Sequence, residues 1–198
     1  MRLRLFCLAL GIAAVPALLL GCATLQEIAA LRQVAFSIDR VSDVRIAGVR
    51  VEGTRSYGDL GAADVARLVA AAGARAVPLD MILHVRAENP ATNEVSARLV
   101  ALDWKFFIEA RQIVDGSLPG EFRLPPGEPV DVPLAMRFDL VDFFGGGARE
   151  LFDLALALSG QGGRSREIRL EAMPTIQTGI GPIRYPDPIV IRRRVGSQ

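Results

Sequence analysis

The chain has 198 residues, 51% of them hydrophobic and 23% charged, which excludes an intrinsically disordered polymer and fits one globular domain with a leader attached. Nineteen Gly and twelve Pro without a period exclude a collagen-like rod, and a net charge of +1 leaves no general basic field to recruit nucleic acid. One His and two Cys leave almost nothing for a Cys/His metal site or a His-assisted nucleophile.

Arg2 and Arg4 precede an apolar run from Leu5 to Leu20. A spanning helix needs about 20 apolar residues, so this run suits the core of a signal peptide better. It ends in Leu19-Leu20-Gly21-Cys22, which resembles the lipobox of bacterial lipoproteins. The resemblance implies a signal peptide over residues 1–21, cleavage after the small Gly21, and lipid on the Cys22 thiol. Acylation of the new amino terminus, with palmitate as its marker, would add further chains. One chain holds a membrane only marginally, and two or three hold it stably. Cleavage leaves 177 residues with 21 basic against 22 acidic side chains and no free thiol. The exported domain would therefore fold without disulfides, and it is long enough to do so. Ala23 follows Cys22, in place of the Asp that resembles an inner-membrane retention signal. That implies the periplasmic face of the outer membrane in a Gram-negative host, or the outside of the plasma membrane in a Gram-positive one.

Residues 22–33 read as a tether, helical towards its end; from Ala23 to Gln33 it spans at most about 36 Å, at ~3.3 Å per residue. From residue 34 the dominant period is two. Val34, Phe36 and Ile38 alternate with polar or small residues, followed by Val44 and Ile46, then Val49 and Val51, with a phase slip at Ala47-Gly48 that predicts a bulge. Met81, Leu83, Val85 and Ala87 face one way, and Ile82, His84, Arg86 and Glu88 the other. Val100, Leu102, Trp104, Phe106, Ile108 and Ala110 form the next apolar face; Val130, Val132, Leu134, Met136, Phe138 and Leu140 form another. Pro133 predicts an edge position for that last strand. Ile168, Leu170 and Ala172, then Ile189 to Ile191, close the series. Turn signals stand at Asn89-Pro90, Asp115-Gly116, Pro125-Pro126-Gly127 and Gly160–Gly163.

Strands with one apolar and one polar face belong to antiparallel sheets that cover each other. The expected fold is mainly β, an antiparallel β-sandwich with one or two short helices after the signal peptide. The domain runs over 34–193 and residues 194–198 form a tail. One helix is predicted over 61–73, where Val65, Leu68, Val69 and Ala72 make an apolar stripe and Asp59 or Gly58 could cap its start. A second is predicted over 147–158, although Phe152, Leu154, Leu156 and Leu158 also fit a strand.

A strand closing in Asn89-Pro90, the run from Val95 to Val114 ending at Asp115-Gly116, Pro125-Pro126-Gly127 and the strand Val130–Leu140 follow one another in order. This order is similar to the late-embryogenesis-abundant (LEA) type 2 family, also called the LEA14-like or water stress and hypersensitive response (WHy) domain. Ala172–Ile176 with Gly179–Pro186 looks like that family's closing hairpin. The resemblance covers residues 34–193 and implies an immunoglobulin-like or fibronectin-like sandwich, no cofactor and an association with desiccation and stress. The 61–73 helix departs from the short plant members.

Candidate sites each have a plain reading beside the chemical one. His84 could be a general base, but a half-exposed strand histidine explains it. Asp103 with Glu109, or Asp139 with Asp142, could be an acid/base pair, but solvent-face charges on amphipathic strands are the better explanation. Gly145-Gly146-Gly147 lacks the lysine and spacing of a phosphate loop and reads as a joint at a helix start. Arg192-Arg193-Arg194 could meet anionic headgroups or belong to a soluble tail. Phe107 and Phe143-Phe144 stand apart from the Trp104, Phe106 and Ile108 core and could leave apolar surface outside it.

No catalytic residues are assigned, and the chain reads as a non-enzymatic, lipid-anchored envelope protein that binds macromolecules or membrane under water stress. The alternative is an adaptor or lipid-handling module with an apolar groove lined by the Phe107 and Phe143-Phe144 regions. Its partners are then the membrane, through Cys22, and an unidentified protein or lipid, without nucleic acid. A tight Ser or Asp cluster around His84 would revive an enzyme.

Overall fold

The computed structural model describes residues 33–93 and 95–196. The expected signal peptide (1–21), Cys22, all but the last residue of the expected tether and the final two residues of the expected tail lie outside the described residues.

Two antiparallel sheets form a sandwich, as the alternation predicts. The first has the order β2 (Val49–Arg50), β1 (Ala35–Ile46), β3 (Pro78–Glu88), β6 (Pro129–Asp139). The second runs β5 (Arg111–Leu124), β4 (Ala97–Ile108), β7 (Arg166–Thr178). The far edge of β7 is shared by β9 (Ile189–Val195) along its first half and β8 (Gly181–Arg184) along its second. The sheets meet where β5 nears β6 and β9 nears β1. β6 is an edge strand, so Pro133 removes no inter-strand bond on its open side.

The inward faces supply one core. Leu79, Met81, Leu83, Val85 and Ala87 of β3 and Val132, Leu134, Met136 and Phe138 of β6 are buried, facing Leu99, Leu102, Trp104, Phe106 and Ile108 of β4 and Ile168 and Leu170 of β7. The Phe106 and Phe138 rings lie 6.3 Å apart across the sandwich. β9 extends through Arg194 and Val195, and Val195 joins the core.

Several local readings are corrected. Ala47-Gly48 is not a bulge but the two-residue turn of the β1–β2 hairpin, both residues with positive φ (47° and 79°). The bulges of β1 lie earlier, between Ile38 and Arg40 and between Ser42 and Arg45. A shift between Leu99 and Ala101 leaves Val100 half-buried, with Leu99 inside, and Ala110 is exposed at the β4–β5 turn. Asp115-Gly116 is no turn; β5 runs straight through it. Gly116 stands opposite Trp104, and a Cβ there would come within 2.5 Å of the indole Cζ2, so the glycine makes room for the ring.

The two helices are α1 (Ala62–Gly73) and α2 (Ala148–Ser159). In α2 seven residues from Leu151 to Leu158 are buried, and Gly160 ends it with φ 73°. α1 buries only Leu68; Val69 is 54% exposed, so the stripe is turned away from the core there. Gly61 stands at its N-cap without a side-chain bond. Asp59 instead closes the preceding 3-10 turn, Tyr57–Asp59, accepting the N–H groups of Arg55 (3.0 Å) and Ser56 (2.9 Å). Those backbone bonds, Arg55's first, hold its carboxyl below the usual carboxylate range.

The Asn89-Pro90 and Pro125-Pro126-Gly127 signals are physically joined. Buried Asn89 donates from Nδ2 to the carbonyls of Leu124 (2.8 Å) and Val95 (3.1 Å), and its own carbonyl accepts the Gly127 N–H (2.8 Å). The amide staples the β3–β4 connection to the end of β5, which satisfies polar groups that burial would otherwise leave unpaired. The closing hairpin is present as β7–β8.

Candidate functional site

Because the odd positions of β3 fill the core, Asp80, Ile82, His84 and Arg86 point to the outer face of the first sheet. In register His84 stands between Arg40 of β1 and Pro133 of β6. Ser42 is opposite Ile82, and Asp131 is opposite Arg86, so each lies one diagonal step from the imidazole. The diagonals close into hydrogen bonds. Ser42 Oγ is 2.8 Å from His84 Nε2, and Asp131 Oδ2 is 2.7 Å from His84 Nδ1.

The His84 side chain is 12% exposed, more enclosed than the half-exposed histidine expected from sequence. Arg40 flanks the group, 3.1 Å from Nδ1 and 3.3 Å from Asp131 Oδ2, and also pairs with Asp39 at 2.6 Å. Nδ1 lies between a carboxylate that only accepts and the Arg40 guanidinium that only donates; the shorter contact, with Asp131 at 2.7 Å against 3.1 Å, favours a proton on Nδ1. Nε2 is then free to accept the Ser42 hydroxyl proton. Directly after Ser42 the strand bulges, and Asp43 takes φ 52°, a left-handed conformation that L-residues rarely adopt. A shallow depression of about 480 Å³ begins at this bulge and continues over Ile82 and Ala135, with Arg45 and Arg137 beside it.

On the outer face of the second sheet the chemistry is cationic. Arg169 of β7 lies over the Phe107 ring, 3.8 Å from its centroid, and pairs with Glu171. Arg192 stands opposite Arg169 and Arg194 opposite Glu167. With Arg166, which is 3.8 Å from Glu109, these arginines border an open depression of about 690 Å³. Arg193 points the other way and donates to the carbonyls of Ile38 (2.7 Å) and Asp39, tying β9 to β1. The basic run is therefore part of a strand, not a tail.

The remaining candidates separate. Asp103 pairs with Arg184 at 2.8 Å while Glu109 faces Arg166, so no acid/base pair forms between them. Asp139 accepts the N–H groups of Val77 and Val141, both at 3.0 Å, whereas Asp142 is exposed. At Gly145–Gly147 the Glu150 carboxylate caps α2 through the Gly147 N–H (2.9 Å), taking the place an anion would need. Phe107 is 8% exposed beneath Arg169, and Phe143 and Phe144 pack against the core with Arg111 bonded to the Phe143 carbonyl. These aromatic residues do not form an open apolar surface.

Sequence reasoning missed Ser42 and Asp131. Neither carries a local motif; only the strand register joins them to His84.

No family model matches the chain, and no curated protein matches it. Among solved structures it is similar to one described as a late embryogenesis abundant (LEA) protein (13% identity, 94% of this chain and 87% of that one, TM-score 0.40). It is also similar to a protein from Arabidopsis thaliana (12% identity, 81% and 84%, TM-score 0.40). A third, from Archaeoglobus fulgidus, gives 11% identity, 61% and 86%, and a TM-score of 0.35. At these identities and TM-scores the likenesses carry no argument about function.

Proposed function

We propose that the chain is a lipid-anchored envelope protein of the LEA type 2 kind, held by Cys22 on the periplasmic face of an outer membrane. There its sandwich meets the lipid surface or other macromolecules when water is withdrawn. The observation that carries this reading is the position of the arginines. β1 starts at Ala35, directly after the tether, and Arg193 grips β1 at Ile38 and Asp39. Ile38 and Asp39 are about 10–14 Å into β1 at ~3.4 Å per strand residue, and Arg192 and Arg194 flank Arg193 on β9, so both lie near the tethered end of the sandwich. Among the described residues neither has an acidic partner within ion-pair distance. Each arginine near an anionic leaflet contributes on the order of 1 kcal/mol, a supplement to the lipid rather than an anchor. The groove alternative is weaker, because Phe107 lies under Arg169 and Phe143 and Phe144 are packed.

Labelling with palmitate tests the anchor. The wild type should incorporate label, and Cys22→Ser should remain an unlabelled precursor. Normal processing of that variant, with no label in the wild type, would remove the lipoprotein reading. A deletion strain tested for drying and osmotic survival, complemented by anchored and anchor-less protein, tests the stress role. Equal survival of the deletion and its parent would remove that part alone.

A further inference from the structure

We propose that Ser42, His84 and Asp131 form a nucleophile–base–orienter relay that hydrolyses short, uncharged carboxylic esters. The proposal departs from the expectation of a non-enzyme, which rested on His84 having no partner legible in the sequence. Geometry supplies both partners at hydrogen-bond distance, 2.8 Å on the Ser42 side and 2.7 Å on the Asp131 side. Such a relay is defined by its geometry and roles rather than by sequence order.

Asp131 holds the Nδ1 proton and so turns the Nε2 lone pair towards Ser42. Ser42 Oγ attacks the ester carbonyl carbon as its proton passes to Nε2. The tetrahedral species then collapses, the alcohol leaves with the proton from Nε2, and the acyl group stays on Ser42. Water next attacks the acyl-serine as Nε2 takes its proton. The carboxylic acid departs, and Ser42 Oγ recovers the proton from Nε2. The sum is ester plus water giving acid plus alcohol.

Two further features adjoin Ser42 in the chain. The bulge and the left-handed Asp43 set a bend immediately after the nucleophile, a place where backbone strain commonly accompanies function. The depression of about 480 Å³ starts at Asp43, the residue after Ser42, and runs away from it over Ile82 and Ala135; the three relay side chains are not part of its lining. Its charges balance, Arg45 and Arg137 against Asp43 and Asp80, and Ile82 and Ala135 supply apolar wall between them. A small neutral ester fits this lining. The open face admits water freely, so covalent capture is a sharper readout than turnover.

The test uses the full chain in detergent with a fluorophosphonate, which phosphonylates activated serines, and with p-nitrophenyl butyrate. Mass spectrometry of the peptide containing Ser42 gives the rate of labelling. Wild type should be labelled at Ser42 and release p-nitrophenol; Ser42→Ala should do neither. His84→Gln and Asp131→Asn should slow both reactions by on the order of 10²–10⁴-fold. Asp131→Asn keeps the shape of the side chain, and circular dichroism checks that each variant is folded. No label at Ser42 in the wild type, or a labelling rate unchanged in either His84→Gln or Asp131→Asn, would overturn the proposal and leave a polar surface network.

Discussion

The outer face of the first sheet and that of the second are built from the same alternation, yet they organise their polar residues differently. On the first, Ser42, His84 and Asp131 come from three strands and converge by diagonal contacts on one imidazole. On the second, arginines spread along β7 and β9, and Arg169 covers an aromatic ring that the core does not use. Period-two patterning decides which side chains face outward. Register and bulges decide which of them meet, and those properties belong to pairs of strands rather than to one segment.

Substitutions can separate the faces. The largest effect belongs to the core they share: Trp104→Ala should cost about 3–5 kcal/mol in urea unfolding and weaken both faces together. A cost below about 1 kcal/mol would contradict the sandwich packing. Phe107→Ala should cost less, about 2 kcal/mol, because the ring is buried only on the outer side beneath Arg169. It should leave the Ser42–His84 contact intact, which nuclear magnetic resonance of the histidine ring can report. If that signal changes as much as the stability, the two faces are not independent.

The smallest effect lies away from both faces, at Asp59. Its carboxyl sits below the ordinary range in the folded chain, chiefly through the Arg55 and Ser56 amides. Its stabilisation is therefore fully present above the unfolded carboxylate pKa and is lost as pH falls through the lowered folded value. Wild type should exceed Asp59→Asn in stability at neutral pH, and the gap should close on acidification. A gap that grows in acid would contradict the sign.

Much of the fold was legible because inward positions repeat without interruption in β3, β6 and β7, and Pro133 marked an edge. The errors have local causes. Gly116 reads as a turn residue but is small because Trp104 needs the space. Val69 fits the α1 stripe by spacing, yet α1 lies at the periphery and buries only Leu68. α2 shows the opposite outcome, a helix enclosed almost all round. At the candidate site the outward direction of His84 was legible. Ser42 and Asp131 were not, because they lie 42 residues before it and 47 residues after it.

The register that joins these three residues can be read from His84 itself, the only histidine in the chain. Nitrogen-detected magnetic resonance of the imidazole distinguishes its tautomers without overlap. The expected result is a ring held in one arrangement, with a proton on Nδ1 that is slow to exchange, and a signal that shifts in both Asp131→Asn and Ser42→Ala. A ring that averages between tautomers like free histidine, unaltered by either substitution, would contradict the assembled Ser42–His84–Asp131 relay.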